Sequence, residues 1–192
     1  MPRIETETLA QHRDWRRNQL IEAAASIALE SGGSAVTVAA VAQRAGLSRT
    51  SVYEYFGSSA DLIADLVLEE LNNFAQYLQK AVAHKDQPIE SISAWIQSAL
   101  TYIADGRHLL AKALNATSLP QERSAAIGAA HRALLAPLVT GLAAMGIKDT
   151  QRALLFIQAI TDASTKRIEG GHDAEAEIKS ATAFCIAGLS SI

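Results

Sequence analysis

Apolar residues return every three or four positions along much of the chain, for example at Ala153, Phe156, Ile157 and Ile160 and again at Ile178, Ala181, Phe184, Cys185 and Leu189. That spacing gives a helix one buried face. The pattern predicts helices from about His12 to Ser31, from Thr37 to Gly46, from Ser48 to Phe56, over about 58–84, and from Pro88 through Trp95 to Ile103. Further helical segments cover 121–145, 150–169 and 173–189. Stops fall at Gly32-Gly33, Asp105-Gly106, Leu119-Pro120, Gly146 to Asp149 and Gly170-Gly171, where glycine or proline interrupts a helical backbone. With only four prolines, abundant alanine and leucine and few β-branched clusters, an all-α fold is expected. Pro137 removes one helical hydrogen bond inside 121–145 and is expected to kink that segment and open a cavity.

The stretch TVAAVAQRAGLSRTSVYEYF, Thr37 to Phe56, carries the most specific signal. Thr37 can cap a short helix that Gly46 ends, because glycine takes the positive φ of a sharp turn without steric cost. Ser48 then caps a second short helix. Val52 and Phe56 lie four residues apart on one face, where they can pack with Val41 and Leu47. Arg49, Thr50 and Tyr53 are left opposite. A guanidinium able to bond guanine O6 and N7, a methyl-bearing hydroxyl and a ring that can touch a thymine methyl or a phosphate suit a DNA major groove. A glycine between two short helices also occurs in proteins that bind no DNA, so the flanks must decide.

Together with the following GSSADLIADLVLEEL, this stretch resembles the amino-terminal domain of the tetracycline-repressor (TetR) family of transcriptional regulators. The similarity runs from Arg13 to Leu71. It implies an amino-terminal three-helix helix-turn-helix domain over 12–57, a connecting helix over 58–84, and a carboxy-terminal helical ligand-binding and dimerisation domain over 85–192. It also implies that Thr37 and Ser48 are cap-and-phosphate contacts, that Arg49, Thr50 and Tyr53 face the bases, and that Tyr55 contacts a phosphate where many relatives carry histidine. Ser51 completes that DNA-binding set. One departure is Ser59, where the family often has a lysine at the start of the fourth helix. A hydroxyl at a helix N-terminus can still bind a phosphate, without the full charge.

Charge gives this reading little help. Between His12 and Gly57, the arginines at 13, 16, 17, 44 and 49 face Asp14, Glu22, Glu30 and Glu54, a net +1, and the whole chain carries −3. Nucleic-acid binders draw much of their affinity from phosphate neutralisation, so the arginines must gather on one side. The tail with Arg3 among Glu5 and Glu7 supplies no basic arm.

The resemblance further implies a homodimer through the last two helices, which would form a four-helix bundle with their symmetry mates; the alternative is that both merely close the monomer's core. Two reading helices about 34–36 Å apart would address successive major grooves of a near-palindromic operator in double-stranded DNA. A small-molecule effector would bind the second domain and favour a non-binding conformation, most simply releasing a repressor. Trp95, Tyr102, Leu109, Leu114, His131, Phe156 and Ile160 are the candidate effector-binding residues, with Gln97, Asn115 and Gln158 as further polar contacts. Few charges interrupt these apolar stretches, which favours a small, mostly uncharged ligand.

Other classes fare worse. Asp105 and His108, and Glu169 and His172, are each three apart, yet glycines place both motifs in turns, and a helical di-metal site needs more carboxylates on facing helices. No catalytic motif, cofactor or metal site is expected. The alternative function is a helical adaptor or effector-binding protein without DNA binding. The single Cys185 excludes an internal disulfide and reads as a buried small hydrophobe. A polar start and no apolar run near the roughly 18 residues of a membrane helix predict no leader, no membrane partner and a cytoplasmic location.

Overall fold

The computed structural model of the protein describes residues 9–114 and 119–191, which form nine α-helices and, among the described residues, no strand. The helices are α1 (Leu9–Ser31), α2 (Val38–Ala45), α3 (Arg49–Tyr53), α4 (Ser59–Val82), α5 (Pro88–Ala104), α6 (Leu109–Leu114), α7 (Ser124–Ala144), α8 (Thr150–Glu169) and α9 (Ala174–Leu189). The fold is all-α, as the periodicity predicts. Asn115 and the tail with Arg3, Glu5 and Glu7 lie outside the described residues.

Local chemistry sets most helix ends. Pro88 occupies the first turn of α5, where its missing N–H costs nothing. Asp149 and Asp173 cap α8 and α9, accepting from the N–H groups of Arg152 at 3.0 Å and Ala176 at 2.8 Å. Arg167 near the end of α8 reaches Glu177 of α9 at 2.7 Å and fastens the two helices.

Contacts divide the chain into two compact units. The first holds the described residues up to Glu70 together with those of Leu110–Ile127. Its core gathers Leu20, Ala24, Val41, Val52, Phe56, Leu62 and Leu66, and Leu110 and Leu114 join it. Leu114, expected beside an effector, is therefore part of the core around the helix-turn-helix. Arg17 of α1 and Arg123 of the turn before α7 grip Asp65 of α4 at 2.6 and 3.2 Å.

The second unit holds Leu71–Leu109 and the described residues from Gly128 onward. Leu78, Ile92, Trp95, Ile96, Leu100, Leu138, Leu142 and Ile157 form its core. The Trp95 indole N–H donates to the Leu134 carbonyl at 3.1 Å. A Cβ at Gly141 would lie 2.9 Å from Ile92 Cγ1, so glycine allows α5 and α7 to touch. Helix α7 continues through Pro137, and a shallow cavity of about 400 Å³ beside it is lined by Pro137, Thr140 and Gly141 with Gln79 and Val82. No expected effector residue lines that cavity.

The expectation that no apolar run approaches a membrane span needs correction at 121–144, which is long and apolar enough by length and composition. The core helix of a soluble protein passes the same test. Ala130, Leu134, Leu138, Gly141 and Leu142 recur at helical spacing and are buried within the second unit, so one face of α7 packs into that core.

Candidate nucleic-acid interface

The turn between α2 and α3 is fixed at both sides. Thr37 Oγ1 accepts from the Ala40 N–H at 3.1 Å, and Gly46 adopts φ 67°. The Leu47 N–H then folds back to the Ala42 carbonyl at 2.9 Å, closing the left-handed cap that ends α2. Ser48 Oγ accepts from the Ser51 N–H at 3.0 Å, so α3 starts immediately after the turn. Val52 and Phe56 are buried and anchor α3 from beneath. Replacing Thr37 with alanine leaves the Ala40 N–H without its acceptor; a loss of about 1 kcal/mol in denaturant unfolding is expected.

Arg49, Thr50 and Tyr53 are exposed, Tyr53 by 56%, while Ser51 and Tyr55 are half-buried. Water-facing rings of that size on a short, doubly anchored helix are available for contact. The Arg13 guanidinium stands 6.0 Å from the Tyr55 ring, which brings the beginning of α1 to the segment that follows α3. Glu54 is exposed, in keeping with a solvent-facing role.

The arginines do not act alike. Arg44 forms a two-pronged pair with Glu30 at 2.9 and 2.7 Å and also donates to Ser26 Oγ at 2.6 Å. Arg17 is held by Asp65. Among the described residues no carboxylate lies within ion-pair distance of Arg13, Arg16 or Arg49, so these three carry the uncompensated charge. The hydrogen bond from Arg44, followed by that from Ser26, pulls the Glu30 carboxyl from an ordinary 4.5 to about 2. A depressed carboxyl contributes stability above its ordinary range and loses it as pH falls toward the folded value. The stability difference between the wild type and Glu30→Gln should therefore shrink between about pH 4.5 and 2 in denaturant titrations.

Ser59, the departure from the family's lysine, has a task that sequence did not reveal. Its Oγ accepts from the Val38 N–H at 3.1 Å and ties the start of α4 to the start of α2, while Ser58 caps α4 by accepting from the Asp61 N–H. Its local signal was a serine pair before a long helix; its partner 21 residues away was not readable.

Residues 20–66 match the sequence profile of the bacterial regulatory proteins of the tetR family. The chain carries a helix-turn-helix domain of the tetR type over these residues. Among curated relatives, the HTH-type transcriptional regulator BetI of Brucella canis is 35% identical over 96 residues, 50% of this chain and 46% of that protein. The chain thus spans about half the length of the curated relatives it matches. Solved structures extend the likeness: the transcriptional regulator FadR of Bacillus subtilis, solved in complex with stearoyl-CoA, superposes with a TM-score of 0.72 at 22% identity, covering 89% of this chain and 98% of that one. A TetR-like transcriptional regulator from Rhodococcus sp. RHA1 gives 0.70 at 20% identity, covering 92% and 97%. At these identities the superpositions show the fold alone. The named relatives are regulators rather than enzymes.

The seven residues expected at an effector site are divided between the two units. Leu114 belongs to the first unit's core, and the other six lie in the second unit. Trp95 is core, Tyr102 is buried against Phe74 and Tyr77, Leu109 and His131 are exposed, and Phe156 and Ile160 line a cavity between α8 and α9. Gln97 is exposed and bonds Ser93; Gln158 is half-buried. The two carboxylate–histidine motifs meet crosswise, His108 Nε2 lying 2.8 Å from Glu169 Oε1. Among the described residues no three His, Cys, Asp or Glu converge as metal ligands. Cys185 is buried, and burial pushes its thiol up to about 11, which keeps it protonated.

Proposed function

We propose that the chain is a ligand-responsive transcriptional repressor that binds a near-palindromic DNA operator as a homodimer through α8 and α9. The observation that carries this reading is the exposed set Arg49, Thr50 and Tyr53 on a helix whose other face is locked by Val52 and Phe56. Arg49 supplies a bidentate donor for guanine, Thr50 and Tyr53 supply apolar and hydroxyl contacts, and Thr37, Ser48, Ser51 and Tyr55 offer hydroxyls toward phosphates. The dimer is supported by Phe156 and Phe184, exposed by 58% and 69% beside an apolar cavity of about 340 Å³ that Ile160 and Gly188 also line. A second copy would bury those rings. A chain of this fold in complex with stearoyl-CoA supports a small-molecule effector, which the second unit would receive.

The second reading, an adaptor without DNA binding, draws on the commitment of Arg17 and Arg44 to carboxylates. Salt separates the two. Selection of duplexes from random DNA, followed by titration at several salt concentrations, should yield a palindromic site whose affinity falls steeply with salt. An adaptor would give no salt-dependent retention of any duplex.

A further inference from the structure

We infer that Phe74, Tyr77 and Tyr102 form a seat for a small organic cation, and that Arg107 occupies it as an internal stand-in. Tyr102 stacks on Phe74 with ring centres 4.3 Å apart and planes at 23°, and Tyr77 stands 5.3 Å away, tilted by 52°. The two tyrosine rings converge on one charge: the Arg107 guanidinium carbon lies 5.0 Å from the Tyr77 ring centre and 5.6 Å from that of Tyr102. Asp105 Oδ2, 3.4 Å from the same guanidinium, adds a negative charge at the edge.

Backbone geometry aims the occupant. Gly106 takes φ 73° after α5, and the Arg107 N–H donates to the Tyr102 carbonyl at 3.2 Å, so the arginine side chain folds back over the rings. The occupant is also loosely held. Its side chain is 49% exposed, whereas Tyr102 is buried, so the arginine can swing into water while the rings keep their places.

A ring face attracts a cation through its quadrupole, and the attraction competes best when the cation is weakly hydrated. Guanidinium and alkylated ammonium groups meet that requirement; sodium does not, and Asp105 disfavours anions. Sequence favoured a mostly uncharged ligand, and it singled out Tyr102 but not its ring neighbours or Arg107. The proposal deepens the effector reading and rests on it for its regulatory consequence, which would pass along α4, the helix that carries Phe74 and Tyr77 and begins at Ser59.

The test uses the full chain without DNA. Tetramethylammonium chloride is titrated against sodium chloride at equal ionic strength, with tyrosine ring-proton shifts as the readout and circular dichroism to confirm folding. Arg107→Ala and Arg107→Gln should both bind tetramethylammonium at least tenfold more tightly than the wild type, and adding Tyr77→Leu to either should remove the saturable shift. Binding no tighter in either arginine variant, or binding indifferent to Tyr77→Leu, would overturn the seat. Because no DNA is present, that failure leaves the regulator reading standing, and loss of DNA binding would leave the seat standing.

Discussion

Replacing Phe56 with alanine is expected to destabilise the first unit by about 3–5 kcal/mol and with it to abolish DNA binding. The ring is 2% exposed and is the largest of the fully buried side chains among the described residues. It lies three residues past the end of α3, its N–H bonded to the Val52 carbonyl at 3.0 Å, and the Arg17 guanidinium stands 5.6 Å over its face. Truncation therefore leaves a cavity beneath the end of the reading helix and removes the surface on which Arg17 rests. A loss of this size is comparable to the roughly 5–15 kcal/mol total stability of an ordinary domain. Denaturant unfolding measures it. Tyr53→Ala is the control, since an exposed ring should leave stability nearly unchanged while weakening DNA binding. A Phe56→Ala loss below about 1 kcal/mol would mean that the core does not anchor α3.

Placing a glutamate at Phe184 should convert the proposed dimer to a monomer and lower operator affinity by about 10²–10⁴-fold. Among the described residues Phe184 is the most exposed of the large apolar side chains, and Phe156 and Leu155 of α8 are exposed by more than half as well. A carboxylate there costs the monomer little, because the position already faces water. In a dimer it would have to be desolvated against Phe156 and Ile160, and an unpaired buried charge outweighs the apolar area gained. Operator affinity follows because two linked half-site contacts act at a high effective concentration that separate monomers lose. Sedimentation equilibrium and duplex titration on the same samples measure both effects. A Phe184→Glu chain that stays dimeric with unchanged affinity would place the interface elsewhere.

Helix α3 was legible because its determinants are local. Thr37, Gly46 and Ser48 each act within three to five residues, and the Val52–Phe56 pair declares its buried face by spacing alone. The ends of α8 and α9 were legible for the same reason, through Asp149 and Asp173. What sequence could not show depends on partners far along the chain. Asp65 meets Arg17 across 48 positions, so Arg17 looked free for phosphate. Glu30 likewise claims Arg44 from 14 positions away. Leu114 and Phe156 looked equally suited to a pocket, since periodicity marks an apolar face without saying which core receives it. The ring cluster around Arg107 joins α4 to the turn after α5, and no local motif announces it.

The central claim is that α3 reads bases through Arg49. The most direct measurement compares the wild type and Arg49→Ala on a selected duplex and on every single-base variant of its half-sites. The wild type should prefer one near-palindrome. Arg49→Ala should cost about 1–3 kcal/mol on that site and lose discrimination at one symmetry-related base pair in each half, leaving the other positions as selective as before. Equal affinity for all duplexes, or an unchanged base preference in Arg49→Ala, would contradict the claim.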